Sequence, residues 1–513
     1  MIVVYHLNNK ITEVISTQDQ KNEFDPNESM ALGLQKLALA FPDEKIVWCH
    51  SNCKGYLNLE IINTVFYHNK MMLSYRPDEG NYFGKKMGYV EESPFIKINK
   101  NVSYPTWQMS SVVGLVHASF LIAIKDSIPV DSDFDYYINS VAKLCMPLGI
   151  LCYSEPQLLR HIEIGKMAKA NMYLLFRFVK QHYKTQWVFL LLLNLLLYKR
   201  KFPVVPFICS LFYKNRSKVN IDLDNITVRS SRRNIEKATV DVIIPTIGRR
   251  NYLYDVLMDL KSQTHLPTNV IIVEQNSNEG SESELDYLTN EIWPFVIKHI
   301  FTRQAGACNA RNIALEQISS EWVFLADDDI RMENNLIQKA FEGIDKFGVK
   351  AVSMKCFQKK EHQKEPVVFQ WMTFGTGCSF VFADSLKNCK FKMGYEFGFG
   401  EDGDFGMQLR NKGHDILYLP EPEILHLKAP VGGFRTQPEL QWQKDEIQPK
   451  PSPTIMLYQI LHHTQEQVRG YKTTLFFKYY KYQNIKNPVR YFMNYRKQWE
   501  RSVFWANELK KRE

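Results

Sequence analysis

The sequence has no uninterrupted apolar stretch of about 20 residues, the length that a membrane-spanning helix requires. It also has no N-terminal signal peptide, because a strand-like run at residues 2–5 follows Met1 without a basic segment or a cleavage site of small residues. These absences argue against an integral membrane protein and against a secreted one. We therefore expect a cytoplasmic protein.

A disulfide framework and a complete zinc-binding pattern are also missing. The nine cysteines are odd in number and scattered along the chain. Cys49, His50 and Cys53 have the spacing of half a zinc site, but no second Cys or His pair follows at a matching distance. We interpret the cysteines as reduced thiols, with Cys49 and Cys53 buried rather than metal-bound.

The composition, 45% hydrophobic and 23% charged, is that of a folded soluble protein. The net charge of +9 is concentrated in residues 471–513, where eleven Lys or Arg and three Glu are interleaved with aromatic residues. This mixture suits an anionic membrane surface better than single-stranded nucleic acid, so we expect no nucleic-acid partner. The alternative is a helical layer whose aromatic residues pack on the protein body.

Two apolar runs precede a polar segment at residues 214–237. The first run, residues 187–198, is followed by three basic residues, and the second, residues 202–213, contains Pro203 and Pro206, which are predicted to interrupt a helix. The runs form either a buried helix with its turn or an anchor that lies in the membrane interface. A second polar connection, residues 436–453, separates the region before it from the basic tail.

The region between the two polar connections alternates strands and helices. Strand-like runs at residues 240–244 and 269–273 flank an amphipathic helix at residues 252–262, which predicts parallel pairing. A further helix is expected at residues 307–318 and a strand at residues 322–325. Because ligands of such α/β sheets bind at the carboxyl ends of the strands, the polar residues that follow each strand mark a candidate site.

Asp327, Asp328 and Asp329 directly follow the last of these strands. Three successive carboxylates repel one another unless a cation neutralises them, and oxygen ligands favour Mg²⁺ or Mn²⁺. The alternative is a solvated acidic turn that caps the next helix.

A second acidic feature is Glu401-Asp402, flanked by glycines and aromatic residues. Partial burial would raise the pKa of such a carboxyl toward the range of a general base, although the pair could also simply begin a helix. His426 ends an apolar strand, where a lone histidine is more often structural.

Together these motifs resemble, in order, those of the family 2 glycosyltransferases, inverting enzymes of GT-A fold. The matching segments are residues 242–249, residues 271–277, residues 305–312 with their Ala-Arg-Asn signature, Asp327 to Asp329, Glu401-Asp402 and His426. The resemblance implies an α/β, Rossmann-like catalytic domain that uses a nucleotide-diphosphate sugar. It also reverses the structural interpretation of His426, since several members place a metal ligand there.

The resemblance implies a role for each matched residue. The metal ligands for Mn²⁺ or Mg²⁺ would be Asp327, Asp329 and His426. Asp402 would be the catalytic base, with Glu401 beside it. The donor-binding residues would be Pro245, Thr246, Arg249, Glu274, Asn276, Arg311, Asp328 and Arg435, the last in a closing loop at residues 429–435.

The implied activity is transfer of a hexosyl or N-acetylhexosaminyl group, by default from a UDP-sugar, to a hydroxyl of a glycan or lipid-linked acceptor in polysaccharide biosynthesis. Glu274 departs from the family pattern, which usually has Asp there. The alternative is a non-catalytic scaffold that binds nucleotide sugars or glycans. A phosphatase is disfavoured because no nucleophilic Asp follows the first strand. The basic tail leaves open peripheral contact with the inner face of the cell membrane.

The N-terminal region resembles a degenerate copy of this domain. Residues 45–52 parallel residues 322–329 without the acids, residues 114–124 resemble residues 377–382, and residues 134–156 resemble residues 404–420. The alternative is an unrelated α/β segment. We predict a degenerate GT-A-like domain at 1–160, a helical connector and linker at 161–237, the catalytic domain at 238–436 and C-terminal helices at 437–513.

Overall fold

The computed structural model describes residues 1–16, 25, 27–78, 80–160, 165, 167–217, 219–358, 361, 366–430 and 438–511. The chain divides into two compact units. The first unit contains Met1–Arg232 and Thr464–Lys478, and the second contains Arg233–His463 and Tyr479–Glu513. The helices of the predicted connector therefore belong to the first unit.

The first unit is built on one mixed sheet. Its strands are β1 (Ile2–Leu7), β2 (Lys10–Ser16), β3 (Lys45–His50), β4 (Met71–Tyr75), β5 (Tyr104–Pro105), β6 (Val113–His117) and β7 (Leu151–Ser154). They are ordered β2-β1-β3-β6-β4-β7-β5. The pairs β1–β3 and β4–β7 are parallel, and the other neighbours are antiparallel.

Helices cover this sheet and bury its apolar side chains. They are α1 (Met30–Ala40), α2 (Ile62–Val65), α3 (Ala118–Ile124), α4 (Phe134–Cys145), α5 (Met172–His182), α6 (Gln186–Lys199) and α7 (Val204–Leu211). The Asp133 carboxylate starts α4 by accepting a hydrogen bond from the N–H of Tyr136 at 2.9 Å. Phe134 and Tyr136 of this helix are fully buried in the core.

In the stretch matched to residues 377–382, β6 ends at His117, because the His117 ring accepts a hydrogen bond from the Ser119 N–H and so caps α3. One sequence-based expectation for the first unit is wrong. Pro206 does not interrupt a helix, since it is the third residue of α7. In the first turn a missing N–H removes no intrahelical hydrogen bond.

The second unit is built on a larger mixed sheet. Its strands are β8 (Val240–Thr246), β9 (Asn269–Gln275), β10 (Val296–Thr302), β11 (Trp322–Ala326), β12 (Ile330–Met332), β13 (Ala351–Phe357), β14 (Phe369–Gln370), β15 (Cys378–Phe382) and β16 (Leu417–His426). The order is β10-β9-β8-β11-β15-β13-β16-β12, and β14 also pairs with β16. As predicted, β8 and β9 are parallel, and β11 is parallel to β8.

The remaining helices follow the expected strand–helix alternation and extend into the C-terminal region. They are α8 (Arg250–Lys261), α9 (Tyr287–Asn290), α10 (Ala307–Leu315), α11 (Leu336–Phe347), α12 (Glu401–Arg410), α13 (Pro453–His462), α14 (Gln465–Tyr480) and α15 (Pro488–Lys510). The C-terminal helices are therefore present as predicted. In the α15 segment, Tyr491, Tyr495 and Trp499 are buried, whereas Phe492 and Met493 are exposed.

Six strands of each unit share one topology. In the first unit the order is β1-β3-β6-β4-β7-β5, and in the second it is β8-β11-β15-β13-β16-β14. Each pair of neighbouring strands among these six is parallel or antiparallel in both units alike, and the six strands also follow one another in the same order along the chain. The sheets differ in their other strands. Antiparallel β2 flanks β1, whereas parallel β9 flanks β8 and β10 flanks β9. In the second unit β12 also pairs with β16, and the described strands of the first unit include no equivalent of β12. This shared order is what the predicted repeat requires.

No helix in the described ranges is long and apolar enough to cross a membrane. Helix α6 buries one face through Val188, Leu191 and Leu195. Its other face exposes Phe189 and Leu197, so the helix is only half covered.

Candidate active site

The three successive acids lie at the carboxyl end of β11, beside the end of β8. Asp328 points toward β8, where it accepts hydrogen bonds from the Thr246 hydroxyl at 2.7 Å and from Arg249 Nη1 at 2.6 Å. Burial raises the pKa of Asp328 to about 6, although Arg249 and Thr246 act in the opposite direction. Thr246, Arg249 and Asp328, which sequence reasoning placed together, are therefore one hydrogen-bonded group.

Asp327, Asp329 and His426 converge at the same edge of the sheet. One ligand atom from each lies within 4.8 Å of the others, in the one cluster of this kind that the described part of the chain contains. The antiparallel pairing of β12 with β16 places His426 opposite Ile330, which brings its Nε2 to 3.2 Å from Asp329 Oδ1. Two carboxylate oxygens and an imidazole nitrogen are a donor set that could hold a divalent cation.

Hydrogen bonds orient Asp329 within this cluster. Its Oδ2 accepts from the Ala429 N–H at 2.8 Å. Burial alone would raise the pKa of Asp329, but the bonds from His426 and Ala429 hold that pKa below its ordinary value. The same contact with Asp329 raises the pKa of His426.

Asp327 is held between a buried arginine and a glycine. Arg311 on α10 donates from Nη2 to Asp327 Oδ1 at 2.9 Å. A Cβ at Gly377 would overlap the Asp327 carboxylate, so only glycine allows this approach. The residue before it, Thr376, extends the contact to the next group of acids.

Glu401 and Asp402 form the first turn of α12, which Gly400 begins with a φ of +114°. The Thr376 hydroxyl donates to Asp402 Oδ1 at 2.5 Å. Burial raises the pKa of Asp402, while nearby Arg311 lowers it and Asp327 raises it. Burial and the Asp402 charge raise the pKa of Glu401 to about 7. Asp402 therefore lies in the same electrostatic environment as the Asp327 cluster.

The other predicted donor residues occupy the ends of β8 and β9. Pro245 is the penultimate residue of β8, and Asn276 Oδ1 accepts from the Asn278 N–H, which closes the turn after β9. Glu274 is buried, bonded to His299 Nε2 at 2.9 Å and to the Glu284 N–H at 3.1 Å. Burial would raise the pKa of Glu274, but these bonds lower it. Arg435 and most of the predicted closing loop lie outside the described residues.

Sequence reasoning missed three residues that shape this region. Thr376 holds Asp402, and its signal was a polar, glycine-containing run just before β15. Glu396 accepts from the N–H groups of Cys308 and Asn309 at 3.1 and 2.9 Å, which occupies the N-terminus of α10. His299 restrains Glu274 from the neighbouring strand β10, and no sequence signal distinguished it.

Comparison with known proteins assigns this region to a family. Residues 241–399 match the model of the family described as glycosyl transferase family 2, and they form a glycosyltransferase domain of that family. The teichuronic acid biosynthesis glycosyltransferase TuaG of Bacillus subtilis (strain 168) is 28% identical over 106 residues, which cover 21% of this chain and 42% of TuaG. This chain thus spans less than half the length of that relative.

Parts of solved structures are also similar. Residues 1–349 of S. aureus TarS in complex with UDP-GlcNAc align with 46% of this chain and 70% of that chain, at 16% identity and a TM-score of 0.34. GalNAc-T7 with UDP, GalNAc and Mn²⁺ aligns with 40% of this chain and 48% of that chain, at 14% identity and a TM-score of 0.32.

Two sequence-based predictions are thereby confirmed. The family 2 resemblance holds for residues 241–399. The fold class, an α/β protein with a GT-A domain and C-terminal helices, also holds.

Proposed function

We propose that this protein is an inverting, divalent-metal-dependent glycosyltransferase. It transfers a hexosyl or N-acetylhexosaminyl group from a nucleotide-diphosphate sugar, by default a UDP-sugar, to a hydroxyl of a glycan or lipid-linked acceptor. The observation that carries this proposal is the convergence of Asp327, Asp329 and His426 within 4.8 Å. The name of TuaG, which refers to teichuronic acid biosynthesis, supports a role in making a polysaccharide.

The cluster fits a divalent cation. Asp327 and Asp329 supply carboxylate oxygens, and His426 supplies a nitrogen that suits transition metals better than Mg²⁺. We therefore favour Mn²⁺ over Mg²⁺. Bound there, the cation would offset the negative charge that develops on the departing nucleoside diphosphate, so that no protonation of this group is needed.

The donor is proposed to lie along the ends of β8, β9 and β11. Thr246, Arg249 and Asp328 are already joined by hydrogen bonds, which restricts their rotamers before a donor binds. Pro245, Glu274, Asn276 and Arg311 complete the proposed site. Glu274 can present its carboxylate in only a narrow range of orientations, because His299 and the Glu284 N–H hold both oxygens.

Asp402 is the proposed base. Its carboxylate takes the proton of the acceptor hydroxyl while the hydroxyl oxygen forms a bond to the anomeric carbon. On the opposite face of the sugar, the bond between that carbon and the diphosphate oxygen breaks with its electron pair, which inverts the configuration. Thr376 fixes the orientation of Asp402 for this step.

A donor screen tests this proposal. UDP-glucose, UDP-galactose, UDP-GlcNAc, UDP-GalNAc and GDP-mannose are incubated with the full chain and Mn²⁺, and nucleotide release is measured. We expect release from at least one donor, its loss in EDTA and its return with added Mn²⁺. Release that EDTA leaves unchanged contradicts the metal assignment. If no donor gives nucleotide release and no donor shows binding by calorimetry, the proposed donor class is contradicted.

We also propose that the protein is cytoplasmic and binds peripherally to the inner face of the cell membrane. The exposed apolar side chains of α6 and the α7 region support this, since Leu197, Val205 and Phe212 are more than half exposed. Lys199 ends α6 and pairs with Glu466 at 3.0 Å. Arg200 and Lys201 follow it before α7, where they suit anionic headgroups. We define this surface as the α6–α7 patch.

Vesicle co-sedimentation tests the α6–α7 patch. The chain should sediment with phosphatidylcholine vesicles that contain phosphatidylglycerol and less with phosphatidylcholine alone. Phe212→Ser, at a side chain that is 84% exposed, should weaken binding. Ile292→Ser is the matched control, because Ile292 is 90% exposed but lies outside the patch. Equal effects of the two substitutions, or no binding by the unmodified chain, contradict the proposal.

A further inference from the structure

The two sheets share a hydrogen bond as well as a strand order. In the second unit, Ser353 on β13 accepts from the N–H of Gly375 at 3.4 Å. In the first unit, Ser74 on β4 accepts from the N–H of Ser110 at 3.1 Å. Because β4 corresponds to β13 and the acceptor lies at the same register of the ladder, these two bonds are equivalent.

The next residue of each segment holds an aspartate. Thr376 donates from its hydroxyl to Asp402, and Ser111 donates from its hydroxyl to Asp135 Oδ2 at 2.8 Å and from its N–H to Oδ1 at 2.9 Å. Asp402 and Asp135 both lie in the first turn of the helix between the corresponding strands, α12 and α4. Asp135 is therefore the structural counterpart of Asp402.

The described part of the first unit lacks the groups that we assign to the nucleotide in the second unit. The register of β3 with β6 places His50 and Asn52 where the second unit has Asp327 and Asp329. The edge of β1 is covered by antiparallel β2, so the parallel strand that carries Glu274 has no counterpart. The two units share the part of the sheet beside Asp135 in the first unit and beside Asp402 in the second. We call this part the shared half.

A cavity of about 410 Å³ opens beside this shared half. That volume falls within the roughly 300–1,000 Å³ of pockets that hold small ligands. Ser74 and Ser110 are both in its wall. Three aromatic side chains also line it, and they are Tyr75, Tyr82 and Tyr104. Tyrosine offers an apolar ring and a hydroxyl, which together match the faces and edges of a sugar.

The polar groups of the wall suit a ligand with hydroxyls rather than a phosphate. Arg76 is paired with Asp78, so its charge is already balanced within the wall. Asn81 Oδ1 and Gln108 Nε2 belong to lining side chains and have no hydrogen-bond partner among the residues that the structure describes. A hydroxyl both donates and accepts, so it can satisfy an amide oxygen and an amide N–H once their terminal torsions turn toward the cavity.

We propose that the cavity beside Ser74 and Ser110 is a second saccharide site, which holds a hexopyranose ring of the acceptor glycan and carries out no transfer. The choice of ligand rests on the proposed function of the second unit. A glycan held here would stay attached to the protein while another of its residues reacts, which raises the effective concentration of the acceptor.

Methyl NMR on the full chain tests this inference. Met109 lines the cavity, so its ¹³C-labelled methyl group, assigned with Met109→Leu, reports on occupancy. The probes are methyl β-D-glucopyranoside, N-acetylglucosamine, glucuronic acid and inorganic phosphate. We expect at least one saccharide to shift the Met109 signal in a saturable way, and phosphate not to do so. No response to any saccharide, or a response to phosphate alone, overturns the inference.

Substitutions locate the binding. Gln108→Ala should weaken saccharide affinity by roughly 3- to 10-fold, the effect of one hydrogen bond. Gln157→Ala is the matched control, because Gln157 is exposed and is not in the wall. If Gln108→Ala does not fold, Asn101→Ala at the exposed rim replaces it. Equal affinity in the wall variant and the control contradicts the assignment.

The Met109 response does not require transfer, so the two proposals can fail separately. Loss of this response with intact nucleotide release refutes the saccharide site alone. Loss of nucleotide release with an intact response refutes the transferase alone.

Discussion

Asp402 and Asp135 begin equivalent helices and accept hydrogen bonds from equivalent hydroxyl residues. Burial raises the pKa of both carboxyls. Their surroundings differ, because Asp402 lies near Asp327 and Arg311, whereas Asp135 lies near Asp133 and Arg76. The comparison teaches that two similarly buried and oriented carboxylates can have different charged neighbours. We propose that transfer needs, besides such a carboxylate, the metal ligands and the parallel strands beside β8.

The largest expected effect comes from Asp402→Asn. It keeps an oxygen for the Thr376 hydroxyl but removes the base, so transfer should fall by about 10²- to 10⁴-fold, with donor affinity little changed. Asp135→Asn is the matched control and should leave the transfer rate within about twofold, since surface and non-catalytic changes act mainly on stability. Initial-rate kinetics and calorimetry measure both quantities. An equal loss of transfer rate in the two variants would contradict the assignment of Asp402, and not Asp135, as the base.

The next largest effect is expected on the apparent affinity for Mn²⁺ when a metal ligand is removed. Asp329→Asn should weaken the apparent affinity for Mn²⁺ by more than the roughly 10- to 100-fold that outer partners of a metal site usually contribute. Asn52→Ala changes the corresponding position of the first unit and should have no effect on it. Titration of activity with Mn²⁺ measures the affinity. An unchanged Mn²⁺ requirement in Asp329→Asn contradicts the ligand assignment.

The pH dependence of kcat/KM tests the influence of Glu401 on Asp402, whereas Asp135 of the first unit has no acidic residue directly before it. Burial raises the pKa of Asp402, and burial together with the Asp402 charge raises the pKa of Glu401 to about 7. A base must be deprotonated, so kcat/KM should rise with pH toward neutrality. Glu401→Gln removes one negative charge beside Asp402 and should move this rise to lower pH. A rise at the same pH in the variant would show that Glu401 does not influence the base.

The smallest expected effect concerns stability. Burial raises the pKa of Asp135 to about 6 in the folded chain, above its ordinary value. The folded state therefore disfavours the ionised form, which lowers stability above pH 6, and this cost disappears as the pH falls through 6 toward 4. Asp135→Asn should stabilise the first unit by on the order of 1–3 kcal/mol at pH 8 and by less at pH 4. Urea unfolding at both pH values measures this, and a pH-independent difference contradicts it.

Much of the second unit followed from local sequence patterns. The β-branched runs at β8 and β9 and the apolar periodicity of α8 predicted the parallel strand–helix–strand arrangement, and Asp327 to Asp329 marked the end of β11. The position of His426 did not follow from such patterns. It depends on the pairing of β12 with β16, a long-range register that residues near His426 do not encode. Only the family resemblance pointed to it.

The counterpart of Asp402 was also hidden from sequence comparison. The sequence match of residues 134–156 to residues 404–420 began after Asp402, so it did not pair Asp135 with Asp402. The hydrogen bonds from Ser111 and Thr376 identify the correct pair. The equivalence of Asp135 and Asp402 is thus identified by the hydroxyl residues that precede β6 and β15, not by the similarity of α4 and α12.

The most direct measurement is a crystal structure of the full chain with Mn²⁺ and UDP, in which anomalous scattering locates the metal. We predict one Mn²⁺ coordinated by Asp327, Asp329 and His426, with UDP phosphate oxygens as further ligands, and no Mn²⁺ beside Asn52. A Mn²⁺ peak that none of these three side chains contacts would contradict it.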